Sequence, residues 1–436
     1  MTHVLILTAG SSPAPLVNCI ARIRPDRVVF LCSEGSIDSI QAVLDAVPIK
    51  SFDRERDVVV LQQRLGRNQS NDVTNDLDRL DRVYLHARDL IDRVRSEHPS
   101  AQLTADYTGG TKTMSAGLAL AAIDDGGVEL LVTTAQKREP GEVAIQGHST
   151  PVPVAQGSVH ARRLLATELP PLLKRFDYAA AVASVSRVRR LGLTEGEASE
   201  LIRLENLLLA FDAWDRFDHL QALNLLQTGS VDPIIRSHLL ALKRSIGSRR
   251  LVDDVANEQN WSSIKGHGLE VVEDLLLNAE RRATQERYDD AVGRLYRATE
   301  LTAQLVLQQA FSLSTGALTI EQLPEPLRPS YLERHGHPAG EGTLRLGLVA
   351  SYDLLADLNH PLGLRWKQQR DRLRDQLLYR NESLFAHGFQ PVSYGGWNEL
   401  QRSLGAFLQQ AIAEARKDGR TAEPLAQLPD GLAALI

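Results

Sequence analysis

Cysteine is almost missing from this chain: Cys19 and Cys32 are the two present in 436 residues. So little cysteine excludes a disulfide framework and a cysteine-rich metal site. Both lie in apolar strand- and helix-like surroundings, where a thiol behaves as a small hydrophobe, and a reducing compartment is expected. No apolar run approaches a membrane-spanning length, and the opening MTHVLILTAG lacks the basic segment of a signal peptide. A cytoplasmic location with no membrane association is therefore expected. A surplus of positive charge is lacking too: the formal net charge of −6 excludes a broadly basic surface. No stable DNA binding is expected, and any RNA or nucleotide site has to be local. Lysine is scarce, with 8 residues against 41 arginines, which draws attention to Lys112 among its threonines and glycines. Metal ligands in usual spacing are absent as well. His335 and His337 stand two apart in a Gly/Pro loop without a further ligand and read as surface residues, so no metal and no cofactor is expected.

What is there is apolar material for several cores, 43% of residues being hydrophobic, and at this length more than one domain is expected. Residues 1–157 alternate strand and helix signals: HVLILT, a helix opened by Pro13 and Pro15, RVVFLCS, a helix from Ser36, DVVVLQ, an amphipathic helix from near Asn75 to Arg95, AQLTADY, a small-residue helix and VELLVTT. Short β-branched runs separated by helices predict a Rossmann-like parallel α/β sheet covered on both faces. KREPGEVAIQG adds a turn and an edge strand. After that the strand signals stop, and apolar residues recur at helical spacing. An all-α connector is expected over 158–258 and an all-α domain over 259–436, divided by the polar, glycine-containing stretch around Leu251–Gly268. Three similar segments, RFDYAAAV, RFDHLQAL and RYDDAVGR, each stand near a helix start and predict helical hairpins with an aromatic wedge. The final KDGRTAEPLAQLPDGLAALI is broken by prolines and ends apolar, which suits packing against the body or against a partner.

In a parallel α/β sheet, anions are held beyond the carboxyl ends of strands by backbone N–H groups and helix N-termini. Two loops meet that description. In TAGSSPAP, Gly10 permits close backbone approach and Ser11 and Ser12 offer hydroxyls. In DYTGGTKT, Gly109 and Gly110 permit unusual dihedrals, Thr108 and Thr111 offer hydroxyls, Thr111 or Thr113 can cap the following helix, and Lys112 supplies charge. Neither loop is a dinucleotide fingerprint or a P-loop. Ala116, Gly117, Ala119 and Ala121 read as a surface for close helix–sheet packing.

Asp106–Lys112, as D-Y-T-G-G-T-K before a small-residue helix and after a Gly-Ser loop, resembles the CRISPR-associated Rossmann-fold (CARF) domain. That resemblance covers about the first 150 residues, within a domain expected over 1–157. It implies a homodimer holding one cyclic oligoadenylate, cA4 or cA6, at Gly10, Ser11, Ser12, Thr108, Gly109, Gly110, Thr111 and Lys112, with protein symmetry matched to ring symmetry.

In LLYRNESLFAHGFQ, Arg380 and His387 are seven apart and on a helix fall within roughly 20° of one face. Gly388 suits a helix end. Spacing of this kind is common by chance; the context is what makes it informative, with Asn381 directly after Arg380 and a sensor-like domain earlier in the chain. The segment resembles the HEPN ribonuclease motif, an arginine, a polar residue and a histidine. The helix Arg287–Leu307 looks like the first long helix of such domains, with Arg294, Arg297 and Glu300 read as structural.

Together the resemblances imply a type III CRISPR ancillary ribonuclease with Arg380, Asn381 and His387 as catalytic residues paired across a dimer, single-stranded RNA as substrate and cyclic oligoadenylate as activator. Two other readings stay open from sequence: a catalytically inactive HEPN scaffold or regulator, and a CARF domain that itself degrades the cyclic ligand.

Overall fold

The computed structural model describes residues 2–61, 63–65, 73–135, 149–227, 233–250, 252, 266–316, 318–336, 342–381, 388–418 and 423–435. They fall into two compact units, Met1–Leu164 with Arg187–Ser199 and Leu165–Ser186 with Glu200–Ile436.

The first unit runs β1 (His3–Ala9), α1 (Ala14–Ile23), β2 (Arg27–Ser33), α2 (Ile37–Ala46), α3 (Arg54–Asp57), β3 (Val58–Leu61), β4 (Gln63–Leu65), β5 (Val73–Asn75), α4 (Leu80–Glu97), β6 (Gln102–Asp106), α5 (Lys112–Asp125), β7 (Val128–Ala135), β8 (Ser149–Pro153) and α6 (Gly157–Arg163). Its main sheet has the order β3-β2-β1-β6-β7-β8. β1 pairs in parallel with both β2 and β6, and the last strand, β8, is antiparallel to β7. The predicted edge segment KREPGEVAIQG lies outside the described residues; the edge strand that is seen, β8, follows it.

Side chains alternate across a strand, and here both faces are buried. Val4, Ile6, Val29 and Leu31 pack with α4 and α5 residues such as Val83, Leu90 and Leu118. Leu5, Leu7, Val28 and Phe30 pack with Leu16, Cys19, Ile20 and Ile40 from α1 and α2. Predicted elements recur with adjusted ends: the helix expected from Asn75 begins at Leu80, because Val73–Asn75 pairs with Gln63–Leu65 as a small antiparallel ladder. Gly117 serves helix–helix rather than helix–sheet packing, since a Cβ there would come within 2.5 Å of Val83 on α4.

One charge cluster is buried in this unit. The guanidinium of Arg27, 2% exposed, meets Asp57, 0% exposed, at 2.6 Å and Glu97 at 2.5 Å, tying β2 to the ends of α3 and α4.

The second unit contains α7 (Leu169–Lys174), α8 (Tyr178–Val188), α9 (Glu195–Asp215), α10 (His219–Gln227), α11 (Pro233–Arg249), α12 (Glu270–Thr284), α13 (Tyr288–Phe311), β9 (Leu318–Thr319), α14 (Arg328–His335), β10 (Thr343–Leu344), α15 (Leu348–Asp357), α16 (Pro361–Asn381), α17 (Tyr394–Leu400) and α18 (Ala406–Asp418), with the starts of α9 and the end of α8 belonging to the first unit. Apart from the two-residue β9–β10 ladder and an isolated bridge, its described residues form helices and connections, as the spacing predicts.

The three similar segments do mark hairpin turns, and their alignment is shifted. Phe176 and Phe217 occupy left-handed positions with φ of 54° and 65°, and each turn closes with a 6→1 and a 5→2 backbone hydrogen bond. That is the Schellman arrangement that ends a helix. In the third turn the left-handed residue is Glu286, φ 62°, and Tyr288 opens α13 instead. Tyr288 therefore corresponds to Tyr178 and His219, not to the two wedge phenylalanines.

The core of the helical unit stacks Tyr352 on Trp366, centroids 4.3 Å apart, with Phe407 against both. The C-terminal segment packs back on the body. Leu425 N–H donates to Glu273 at 2.8 Å, Arg281 to Gln427 at 2.6 Å, Tyr178 to the Pro429 carbonyl at 2.7 Å, and Lys174 pairs with Asp430 at 2.7 Å.

Candidate functional site

Strand order reverses between β1 and β6: β2 and β3 lie on one side of β1, β6 and β7 on the other. Crevices at such a switch point are where open α/β sheets bind ligands. The two loops singled out by sequence leave the carboxyl ends of these adjacent strands and touch backbone to backbone. A Cβ on Gly109 would stand 2.1 Å from the Thr8 carbonyl oxygen, and one on Gly10 would stand 2.8 Å from the Gly110 nitrogen. Gly110 adds a left-handed φ of 79°. A side chain at these positions would push the loops apart, so glycine sets how closely they approach.

The second loop is held from below by Asp106, which is 1% exposed. Its Oδ1 accepts the Thr108 N–H at 2.8 Å and its Oδ2 accepts the Thr133 hydroxyl at 2.5 Å. Thr108 returns the link, its Oγ1 accepting the Thr133 N–H at 2.6 Å. Thr111 is the N-cap of α5, its hydroxyl oxygen accepting from Met114 N–H at 3.2 Å. From the first loop, the Gly10 carbonyl accepts the Ser39 hydroxyl at 2.5 Å. The first N–H groups of α5 have no intrahelical acceptor and face outward with partial positive charge. Lys112 starts that helix, is exposed, and has no ion-pair partner among the described residues.

The structure thus gathers Gly10, Thr108, Gly109, Gly110, Thr111 and Lys112 at one edge of the sheet. Ser11 and Ser12 are exposed just beyond Gly10, with no hydrogen bond to the second loop among the described residues. Thr108 and Thr111 already use their oxygens to shape the loop. Sequence reading placed Asp106 in the loop motif without giving it a role, and left out Thr133 and Ser39. For Asp106 a signal existed: an aspartate two residues before a Gly-rich turn commonly accepts from the backbone two positions on. Thr133 and Ser39 come from distant strands and helices and carried none.

Beside Asp106, burial pushes the Cys19 thiol far up, and the aspartate's charge and hydrogen bond add to it; burial alone lifts Cys32 to about 11. Both stay protonated and behave as packing groups.

In the helical unit, Arg380 and Asn381 are the last two residues of α16. His387 lies outside the described residues, and with it the expected face shared with Arg380. Past it the chain is anchored to the start of α13: Val392 N–H donates to Asp289 at 3.1 Å, and the Tyr394 and Tyr288 rings are 5.9 Å apart. Arg294 turns inward to Asn278 and to the Asp290 carbonyl, and burial, reinforced by Arg282, lowers its pKa. Arg297 binds Glu300 at 2.8 Å. Both arginines have structural partners. Among the described residues, no group of three or more His, Cys, Asp or Glu side chains is placed to hold a metal, and no helix is long and apolar enough to cross a membrane.

Residues 260–411 match the family model of the Csm6 HEPN domain. Csm6 of Enterococcus italicus, solved bound to cyclic hexa-2′-fluoro-hexa-dAMP, superposes with a TM-score of 0.55 over 96% of this chain and 95% of that one, at 12% identity. This chain has the CARF–HEPN fold of Csm6. A cyclic tetra-adenylate complex of Can2 from Sulfobacillus thermosulfidooxidans aligns over 47% of this chain and 58% of that one at 15% identity, and its TM-score of 0.22 is too low to bear on the fold. No curated protein matches in sequence. The Csm6 fold accounts for the two halves read from sequence, a mostly parallel sheet followed by a helical region.

Proposed function

We propose that the chain is a CRISPR-associated, metal-independent endoribonuclease of single-stranded RNA, switched on by cyclic oligoadenylate. The observation that carries the reading is the Csm6 HEPN match over 260–411, which encloses Arg380, Asn381 and His387.

The sensor is the switch-point crevice. Backbone N–H groups at the start of α5 and the Lys112 ammonium receive phosphates, and the glycines let the ring approach the backbone. In a homodimer two copies of the crevice face one cyclic ligand. Binding favours a dimer geometry in which the two Arg380/His387 pairs share a substrate, which is a coupling free energy between distinct sites.

At the effector site, the ribose 2′-oxygen attacks the adjacent phosphorus and loses its proton. The bond from phosphorus to the 5′-oxygen breaks, and that oxygen is protonated. The products are a 2′,3′-cyclic phosphate and a 5′-hydroxyl. His387 moves the protons, the Arg380 fork stabilises the phosphoryl oxygens, and Asn381 orients them. No metal enters these steps.

The test is cleavage of a fluorescent single-stranded RNA in EDTA, with and without cyclic tetra- and hexa-adenylate. Acceleration by one ring size supports the reading. RNA left intact under every condition would make the chain a non-catalytic scaffold, and conversion of the ring to linear adenylate would make the sensor a nuclease in its own right.

A further inference from the structure

An open groove of about 570 Å³ crosses the helical unit between the end of α14, the start of α15 and one face of α16. Its charged lining is Arg334, Arg370 and Arg374 against the single carboxylate of Asp353. Arg370 is paired with Asp353 at 2.7 Å, and the Arg334 guanidinium lies over the Tyr331 ring, 5.1 Å from its centroid. Arg374 is exposed and has no ion-pair partner among the described residues. The groove is thus a local positive site on a chain whose net charge is −6.

Two rings stand among these charges, Tyr296 and His335. Burial first, then the neighbouring Arg334 charge, lowers the His335 pKa, so at neutral pH it presents a ring. The floor is Gly347 to Ala350, the uncapped start of α15, which adds outward-facing N–H groups. Arg370, Arg374 and Leu377 share one stripe of α16 and line the groove in turn. The helix rises about 1.5 Å per residue, so Arg374 is about 6 Å beyond Arg370 and Arg380 about 9 Å beyond Arg374 along the same axis.

We infer that this groove holds the sugar-phosphate backbone of the substrate RNA next to the Arg380 end of α16, with Arg334 and Arg374 on phosphates and Tyr296 and His335 against bases. Guanidinium forks interleaved with rings in an open, positive channel fit single-stranded nucleic acid, whose phosphates supply the anions and whose unpaired bases supply stacking faces. The choice of RNA rests on the ribonuclease reading; the anion-binding character of the groove does not.

The experiment uses the full chain in an Arg380→Ala background, with fluorescence anisotropy of a single-stranded RNA measured across a salt series. Arg334→Ala/Arg374→Ala is compared with the parent, both side chains being exposed, with thermal unfolding measured on each as the folding check; Arg374→Lys is the charge-retaining control. The expected result is roughly tenfold weaker binding and a log K against log salt slope shallower by about 1.4, since each phosphate contact on a single strand contributes about 0.7. Arg374→Lys should retain the slope. Affinity for cyclic tetra- or hexa-adenylate, measured on the same proteins, should not change. Unchanged RNA affinity and slope, or a loss confined to the cyclic ligand, would overturn the inference. Cleavage by the chain with Arg380 intact is scored separately: RNA bound through the groove but never cut removes the ribonuclease reading alone, and RNA cut normally by the double variant removes the groove alone.

Discussion

Asp106 and Thr133 join neighbouring strands side chain to side chain, the carboxylate accepting the hydroxyl at 2.5 Å beneath the glycine loop. Because the other carboxylate oxygen accepts the Thr108 N–H, one buried aspartate sets both the sheet edge and the loop above it. Asp106→Ala leaves these donors without an acceptor, at about 1–3 kcal/mol for each group stranded. Thermal unfolding should fall accordingly and cyclic-oligoadenylate affinity should drop with it. Wild-type affinity in a destabilised Asp106→Ala would show that the ligand does not read this loop.

Gly109→Ala should be the sharper test of the crevice. The added methyl lands on the Thr8 carbonyl, and relieving that overlap costs about 1–3 kcal/mol of overpacking. Ligand binding, followed by calorimetry, should weaken by more than tenfold. Lys112→Ala, at an exposed position, should weaken binding without lowering the unfolding temperature, and the deficit should shrink as salt is raised.

Arg380→Ala and His387→Ala should each reduce RNA cleavage by at least about 100-fold, in line with loss of a charge-stabilising or proton-transferring group. Binding of the cyclic ligand should be unaffected in both. Full activity in either variant removes that residue from the chemistry.

Acid should weaken the first unit through Asp57 and Glu97. Burial pulls Asp57 upward, but hydrogen bonds from Arg56, the Asp53 N–H and Arg27 outweigh it, and Glu97 is lowered chiefly by its hydrogen bond from Arg27. Both folded values therefore lie below the unfolded-chain values of about 3.9 and 4.3. Their stabilisation is complete above those values and is lost as pH falls through the lower folded ones. Asp57→Asn should cost about 3–5 kcal/mol at neutral pH by leaving Arg27 buried and short of a charge partner. Denaturant titrations at several pH values should show the gap between parent and variant closing below about pH 4.

Much of the fold of the first unit was legible because its signals are local. The β-branched runs that became β1 and β2 are buried on both faces and read as continuous apolar segments, β3, β6 and β7 have shorter apolar runs with exposed or half-buried positions, and of the two threonines open as the cap of α5 the structure uses Thr111. The helical half was legible in kind but not in detail. The third hairpin takes its left-handed turn at Glu286, two positions before the tyrosine that looked equivalent to Phe176, because turn geometry depends on where the preceding helix ends. Non-local contacts gave no signal at all: Thr133 under the loop, the groove arginines drawn from α14 and α16, and the tail's partners are each made by residues far apart in sequence.

The tail itself imposes an order of events. Residues 423–435 are made after every helix they tie, yet they provide acceptors for Arg281, Tyr178 and Lys174 and the amide that occupies Glu273. Arg281 is 0% exposed, so until those residues emerge a nascent helical half carries an interior cation that lacks part of its shell. Closure of that half around Arg281 therefore waits on residues 423–435.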